Sequence, residues 1–148
     1  MKIEDILLPA RIACRADVTS KKSVLELLAK LIADNTTELS EAEVFESLFA
    51  RERLGSTGLG HGVAIPHGRL KGSSETRGAF VQLARGIDYD AVDQQPVDLL
   101  FALLVPEEST NEHLQVLATL AERFSNTELV NRLRWARSAQ TLFELLKA

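Results

Sequence analysis

A stretch of fifteen residues, Gly55 to Arg69, constrains this chain more than any other part of it. It reads GSTGLGHGVAIPHGR and holds five of the eight glycines and two of the three histidines. Glycine is used where the backbone must turn sharply or approach another group closely, and each one loses much conformational freedom on folding. We therefore expect a tightly shaped loop around a few polar groups, with the remaining chain built to support it.

The end of this stretch restricts the backbone around one histidine. Pro66 fixes its own φ angle and pushes Ile65 towards an extended conformation, whereas Gly68 is permissive. His67 is thus expected at the exit of a short strand, on a loop with a well-defined backbone. A side chain held in this way can project towards a reactant, and we predict that His67 is a nucleophile.

Composition limits the class of protein. The chain has 148 residues, is 45% hydrophobic and 26% charged, and carries a formal net charge of −4. We expect one domain, residues 1–148, with a substantial core. The mild acidity argues against nucleic-acid binding, which usually needs a basic face. The longest uncharged apolar run, residues 99–105, is too short to cross a bilayer, and no signal-peptide pattern is present, so we expect no membrane insertion and a cytoplasmic location.

Apolar periodicity predicts five helices, which begin near Ser20, Ser40, Ser109, Asn126 and Ser138. The first should end near Asn35 and the second before Gly55. The fourth carries the apolar residues Leu129, Val130, Leu133 and Trp135.

Strands are predicted over residues 79–83 and 97–105, with a turn over residues 86–96, and residues 11–18 could form a short strand or a loop. The run at 97–105 is almost continuously apolar, which is typical of a central strand covered on both faces. The predicted fold class is therefore α/β, with a mixed β-sheet sandwiched by helices on both faces in a single domain.

The three histidines allow more than one chemistry. They could ligate zinc, but no cysteine or carboxylate lies at the usual ligand spacing, so we expect no metal and no cofactor. Ser56, His67 and Asp88 supply the residue types of a hydrolase triad, yet Ser56 is not in a nucleophile-elbow pattern. The glycine-rich stretch also lacks the ending of a nucleotide P-loop.

A histidine that accepts a phosphoryl group fits these residues better. Phosphoryl transfer needs mainly positioned groups and stabilised charge on the phosphoryl oxygens. A neutral imidazole can attack when its other nitrogen is held by a hydrogen-bond partner, glycine amides can bind oxygens, and a guanidinium is a permanently charged clamp. We predict that His67 is the acceptor, that Arg51 is the clamp, and that the phosphoryl-binding residues are Ser56, Thr57 and Gly68. Alternatively, Arg51 only complements a helix dipole.

A family resemblance supports this interpretation. The stretch GSTGLGHGVAIPHGR, the preceding Arg51-Glu52, the later QPVDLLFALLVP and the step Glu112-His113-Leu114 together resemble the IIA proteins of the bacterial phosphotransferase system. The resemblance is to the fructose/mannitol/nitrogen-regulatory group, is closest to the nitrogen-regulatory branch, and covers nearly the whole chain. It implies a mixed sheet sandwiched by helices and a phosphotransferase component.

The resemblance also implies roles for residues and partners. His67 would be phosphorylated by a small histidine-containing phosphocarrier protein of the HPr or NPr type, itself charged from phosphoenolpyruvate by an enzyme I. Arg51 matches the arginine of the family's Arg-Glu step, and His113 matches a second histidine that helps to hold the phosphoryl group. From the residues alone, His113 could equally be a core or helix-end histidine. His61 matches no required position, and we expect it on the loop surface.

Several functions remain open within this resemblance. In nitrogen-regulatory members the phosphorylation state controls binding to regulatory partners, for which we expect transporters or kinases. In sugar-specific members the phosphoryl group passes to a cysteine of a IIB domain. Asp98 and the expected absence of an attached IIB or membrane domain favour a phosphorylation-dependent regulator. A pure protein-binding module and a metal-dependent enzyme are the alternatives.

Overall fold

The computed structural model describes residues 2–34, 36–109 and 111–148, and of residues 112 and 113 it describes the backbone alone. In chain order the elements are α1 (Ile3–Ile6), a 3-10 turn (Pro9–Arg11), β1 (Ile12–Ala16), α2 (Lys21–Ala33), α3 (Glu41–Glu52), β2 (Gly58–Gly60), β3 (Val63–Ala64), β4 (His67–Leu70), β5 (Arg77–Ile87), β6 (Val97–Pro106), α4 (Asn111–Phe124), α5 (Thr127–Trp135) and α6 (Ala139–Lys147).

The strands form one mixed sheet in the order β1-β5-β6-β3-β2, in which β4 also pairs with β6. Strands β5 and β6 are antiparallel, as are β2 and β3. Strand β1 is parallel to β5, and the short strands β3 and β4 are both parallel to β6. This architecture confirms the predicted α/β fold with a mixed sheet.

Strand β6 is the centre of the core. Leu99, Phe101 and Leu103 pack on the side of α1, α4, α5 and α6. The alternating residues Leu100 and Leu104 pack on the side of α2 and α3. Because side chains alternate across a strand, a strand that is buried on both faces must be apolar at every position. The prediction from the run at 97–105 is thus confirmed.

Four helices begin at the predicted capping residues. The side-chain oxygens of Ser20, Ser40, Asn126 and Ser138 each accept a hydrogen bond of 3.1 Å from a backbone amide three residues on. Such caps satisfy amides that have no partner inside the helix. The predicted helix end at Asn35 lies outside the described residues, as does Thr110, which follows the predicted helix start at Ser109.

The helix α1 and the bounds of the short strands β2, β3 and β4 were not predicted, and two further details of the predicted elements differ. Strand β5 runs on to Ile87, past the point where Gly86 was expected to open a turn. Trp135 is 75% exposed, although it ends a helix that buries Val130 and Leu133. Its position, five residues after Val130, places it well away from the buried stripe of a helix with about 3.6 residues per turn. Among the described helices, none is long and apolar enough to span a bilayer.

Candidate functional site

His67 is held by the central strand of the sheet. Strand β3 ends at Ala64, and the link of Ile65 and Pro66 leads directly into β4, which begins at His67. Pro66 has no amide hydrogen to donate, but its carbonyl accepts the amide of Leu103 at 2.9 Å. The pairing with β6 therefore continues across the link, and His67 lies opposite Leu103. The structure thus places His67 at the start of a strand, whereas the sequence predicted a strand exit.

The imidazole of His67 has a defined proton position. Its Nδ1 atom lies 2.9 Å from the carbonyl oxygen of Ile65. Since a carbonyl oxygen can only accept, Nδ1 carries the proton and the Nε2 atom of the neutral ring carries the lone pair. Burial lowers the pKa of His67, the bond to Ile65 opposes this, the charge of Arg51 lowers the pKa further, and the negative charge of Glu52 raises it by a smaller amount. The ring is therefore neutral at neutral pH.

Close packing between α3 and β4 brings Arg51 to His67. A Cβ atom on Gly68 would lie 2.9 Å from the backbone oxygen of Ser47 and closer still to its hydroxyl. The Ser47 hydroxyl also donates to the carbonyl of Arg69 at 2.8 Å. Arg51 lies one turn after Ser47, and with His67 it lines a cavity of about 400 Å³ next to Gly68. Glycine at position 68 is thus required for this close approach of helix and strand.

A second cavity, of about 360 Å³, adjoins the same two side chains. Its lining includes Arg51, Ser56, Thr57, His67 and Leu117. Four of the predicted site residues thus meet at one cavity, and Gly68 lies at its neighbour. The side chain of the sixth, His113, lies outside the described part of the structure, but α4, which carries it, contributes Leu117 to the cavity wall.

The two predicted hydroxyl residues are placed differently. The Ser56 hydroxyl accepts from the amide of Gly58 at 3.1 Å and donates to the carbonyl of Tyr89 at 3.3 Å. Thr57 is buried, and both its hydroxyl and its amide donate to the carboxylate of Glu52, the amide at 3.0 Å. In this arrangement the donors of Thr57 support the loop and not a ligand, while Ser56 is half-buried.

Glu52 is the residue of the site that the sequence analysis missed. It is only 6% exposed and accepts hydrogen bonds from Thr57 and, at 2.8 Å, from the hydroxyl of Tyr89. The ammonium group of Lys21 lies 3.3 Å from its second oxygen. Burial and the charge of Glu52 raise the pKa of Tyr89 far above its ordinary value, so the phenol remains a donor. Glutamate is rarely buried, and the only indication of its role in the sequence was its place next to Arg51.

A second set of carboxylates holds the other end of the glycine-rich stretch. His61 is exposed, as predicted, with φ of 57°, and its amide donates to Asp93 at 2.9 Å. Arg134 binds both oxygens of Asp98, at 2.8 and 3.0 Å, and donates to the carbonyl of His61 at 2.6 Å. Asp98, noted in the sequence as a mark of the regulatory branch, therefore fixes the loop through Arg134.

The part of the chain that the structure describes contains no cluster of side chains suited to bind a metal ion. There, no three side chains of the types His, Cys, Asp and Glu converge to hold an ion. The chemistry that the described groups offer is an imidazole with an oriented lone pair beside a guanidinium.

Known proteins share this sequence and fold. Residues 5–148 match the family of the phosphoenolpyruvate-dependent sugar phosphotransferase system, EIIA 2. A nitrogen regulatory protein of Pseudomonas aeruginosa is 44% identical over 146 residues, covering 99% of this chain and 95% of that protein. The crystal structure of the nitrogen regulatory protein IIA-Ntr from Neisseria meningitidis superposes with a TM-score of 0.92 at 46% identity, over 97% of this chain and 98% of that one.

A more distant relative is a fructose-specific EIIA component of Haloferax volcanii, which is 34% identical over 86% of this chain and 82% of its own length. Members of the matched family are phosphotransferase components that accept phosphoryl groups from phosphocarrier proteins. With nearly its entire length matched and with close relatives in sequence and in structure, the chain belongs to the EIIA 2 family of the phosphoenolpyruvate-dependent sugar phosphotransferase system.

Proposed function

We propose that this protein accepts a phosphoryl group on Nε2 of His67 and acts as a phosphorylation-dependent regulator of the nitrogen-regulatory branch. The donor is a histidine-containing phosphocarrier protein of the HPr or NPr type. The observation that carries this proposal is the hydrogen bond between Nδ1 of His67 and the carbonyl of Ile65, which leaves the lone pair on Nε2 beside Arg51.

The transfer step follows from this geometry. The Nε2 lone pair of His67 attacks the phosphorus atom, the phosphorus–nitrogen bond of the carrier breaks, and its electron pair returns to the carrier's imidazole. The proton stays on Nδ1 and remains hydrogen-bonded to the carbonyl of Ile65, and this bond stabilises the positive charge that develops on the ring. Burial of the ring assists by keeping it neutral, and therefore nucleophilic, before the attack.

Arg51 is proposed to bind the equatorial oxygens of the phosphoryl group. Its guanidinium is fixed in the structure by a 2.8 Å bond from Nη1 to the carbonyl of Gly55, and it lines both cavities next to His67. A preorganised guanidinium stabilises transferring charge without having to reorganise. We keep His113, Ser56 and Gly68 as further phosphoryl-binding residues. Thr57 is proposed to act through the loop that it supports.

The regulatory role rests on the relatives and on the surface around the site. The matched proteins with 44% and 46% identity are named as nitrogen regulatory proteins. The two cavities are bordered by the exposed side chains of Leu54 and Leu59, a surface suited to protein partners such as transporters or kinases. A phosphoryl group there adds about two negative charges and can exclude a partner. We further propose that residues 1–148 act as a single IIA domain in the cytoplasm.

The test is intact-mass analysis after incubation with phosphoenolpyruvate, enzyme I and the carrier protein. We expect an acid-labile phosphoryl adduct on the wild type and none on His67→Ala. His61→Ala is the matched control, since it removes an exposed histidine of the same loop. An adduct that persists on His67→Ala would assign the acceptor elsewhere. No adduct on any variant, with an active carrier in the same tube, would leave a pure binding module.

A sugar-specific role is the second candidate, because a fructose-specific EIIA component is among the relatives. It differs in the next step, in which the phosphoryl group passes from His67 to a cysteine of a IIB domain. The phosphorylated protein should be mixed with a fructose-type IIB domain and the mass of both proteins followed. For a regulator we expect the phosphoryl group to stay on this chain; complete transfer within seconds would favour the sugar-specific role.

A further inference from the structure

Arg51 and Glu52 are neighbours in the last turn of α3 but point in different directions. Successive residues of a helix are rotated by about 100°, so the two side chains cannot share a surface. Arg51 lines the cavities at His67, whereas Glu52 points inward and is buried. A buried carboxylate is costly unless it is fully paired, and its partners here are therefore informative.

The partners of Glu52 come from three separate parts of the chain. The amide of Thr57 lies 3.0 and 3.2 Å from its two oxygens, and the Thr57 hydroxyl donates as well. The hydroxyl of Tyr89 donates at 2.8 Å, and Lys21 lies at 3.3 Å. A carboxylate that accepts from an amide, two hydroxyls and an ammonium group fixes the elements that carry them.

One path leads from Glu52 to Arg51. The backbone carbonyl of Glu52 accepts the amide of Gly55 at 3.1 Å, and its carboxylate accepts the amide of Thr57. Glu52 thus binds both ends of the segment from Gly55 to Thr57. The carbonyl of Gly55 within this segment accepts Nη1 of Arg51 at 2.8 Å. The direction of the guanidinium therefore depends on the turn that Glu52 closes.

The other path leads from Glu52 to His67. The carbonyl of Thr57 accepts the amide of Ile65 at 3.1 Å. The carbonyl of Ile65 in turn faces Nδ1 of His67 at 2.9 Å. In both Thr57 and Ile65 the amide makes one bond of this path and the carbonyl of the same residue makes the next, so the position of the Nδ1 proton depends on how Thr57 is held.

We propose that Glu52 is a positioning residue for phosphoryl transfer, which orients Arg51 through Gly55 and His67 through Thr57 and Ile65. This inference rests on the proposed function, since it assigns a role in that same transfer. Glu52 does not contact the phosphoryl group. Its buried charge holds the two groups that do, because a misplacement of the order of 1 Å is enough to slow a positioned reaction strongly.

The central experiment compares Glu52→Gln with the wild type in single-turnover transfer from the phosphorylated carrier. Glutamine keeps the shape but replaces one acceptor oxygen with a donor that faces the Tyr89 hydroxyl or Lys21. We expect the transfer rate constant to fall about 10- to 100-fold, with less than about a threefold change in the carrier's Kd, as for a positioning group. Glu46→Gln is the matched control, since Glu46 is exposed on the same helix; its rate should equal that of the wild type.

A second variant covers the case in which Glu52→Gln does not fold. Tyr89→Phe removes the hydrogen bonds of the phenol hydroxyl to Glu52 and to the Thr57 hydroxyl, and leaves the carboxylate bound to Thr57 and Lys21. We expect a smaller loss, about 3- to 10-fold in the rate constant, in a protein that still unfolds cooperatively. A wild-type rate in this variant, or in a folded Glu52→Gln, would overturn the proposal.

Measuring Glu52→Gln in the presence and absence of Arg51 distinguishes positioning of the reacting groups from general stabilisation of the fold. In an Arg51→Ala background the guanidinium path no longer exists, so Glu52→Gln should reduce the rate by a smaller factor than in the wild type. Equal factors in both backgrounds would overturn the path through Gly55. The proposed function fails in a different way, since the wild type itself would then accept no phosphoryl group on His67.

Discussion

The two ends of the glycine-rich stretch are held by the same type of bond in opposite environments. At one end the amide of Thr57 donates to Glu52, which is buried. At the other, the amide of His61 donates to Asp93, and Arg134 joins His61 to Asp98 at the surface. Buried charge networks lose much when one partner is removed, whereas exposed ones are weakened by water and salt. The difference places rigidity next to Arg51 and His67 and leaves the far end adjustable.

The substitution with the largest expected effect on this difference between the two ends is Glu52→Ala at the buried end. It leaves the Tyr89 hydroxyl and the donors of Thr57 without their acceptor. We expect the free energy of unfolding to fall by about 3 kcal/mol, since buried unpaired donors each cost about 1–3 kcal/mol. Urea denaturation followed by circular dichroism measures this. A loss below about 0.5 kcal/mol, as is usual for exposed surface changes, would show that the buried end is no firmer than the exposed one.

The pH dependence of phosphoryl acceptance is a second test of the difference between the two ends. Attack needs the neutral ring, and burial lowers the pKa of His67 below the ordinary value of 6.5. Acceptance should therefore be flat above pH 6.5 and should fall only as pH drops through the lowered pKa, by about tenfold per pH unit.

Variants at the two ends should shift this profile differently. The charge of Arg51 lowers the pKa of His67, so Arg51→Ala should slow transfer, keep the fold and move the fall to higher pH. Arg134→Ala, at the exposed end, should leave the profile in place. NMR titration of the His67 ring provides the same comparison without the carrier, and identical titration of wild type and Arg51→Ala would contradict it.

The exposed end should respond weakly to its own substitution. Arg134→Ala breaks the pair with Asp98 and the bond to the carbonyl of His61. Both side chains of the pair are about a third exposed, and we expect a loss of about 1 kcal/mol in unfolding free energy. Phosphoryl acceptance should stay within about threefold of the wild type. A loss as large as that of Glu52→Ala would make the two ends equivalent.

Of these tests, we expect a change in salt concentration to have the smallest effect on stability, and we expect it to act on the two ends differently. Raising the ionic strength from 0.1 to 1 M shortens the screening length from about 10 to about 3 Å. We expect the difference in stability between Arg134→Ala and wild type to shrink in 1 M salt, because the partly exposed pair of Arg134 and Asp98 is screened. The difference for Tyr89→Phe should be unchanged. Thermal unfolding at the two salt concentrations measures both.

The sequence predicted those parts of the fold that depend on local chemistry. Ser20, Ser40, Asn126 and Ser138 reveal helix starts because a cap acts within three residues. The doubly buried strand is visible in an unbroken apolar run. Likewise, a proline and a glycine beside His67 indicate a fixed backbone, although not that the strand pairing would resume at His67 itself.

The parts that sequence could not predict depend on distant partners. Glu52 is buried because Tyr89, 37 residues later, donates to it. Asp98 matters because Arg134, 36 residues later, binds both of its oxygens. In the same way, the need for glycine at position 68 arises from Ser47 on α3. The spacing of residues along the chain shows none of these contacts, so the sequence analysis missed the supporting residues of the candidate site. The role of His67 as phosphoryl acceptor stays a prediction.

The bond between the carbonyl of Pro66 and the amide of Leu103 has a consequence for how the protein opens. Leu103 belongs to the most deeply buried strand of the sheet, and amides of such strands exchange with solvent only through the largest unfolding events. Because His67 follows directly after this bond, local fraying of loops and helix ends leaves its backbone in place. Phosphoryl acceptance should therefore persist in rising denaturant until the whole molecule unfolds, without an earlier, separate inactivation.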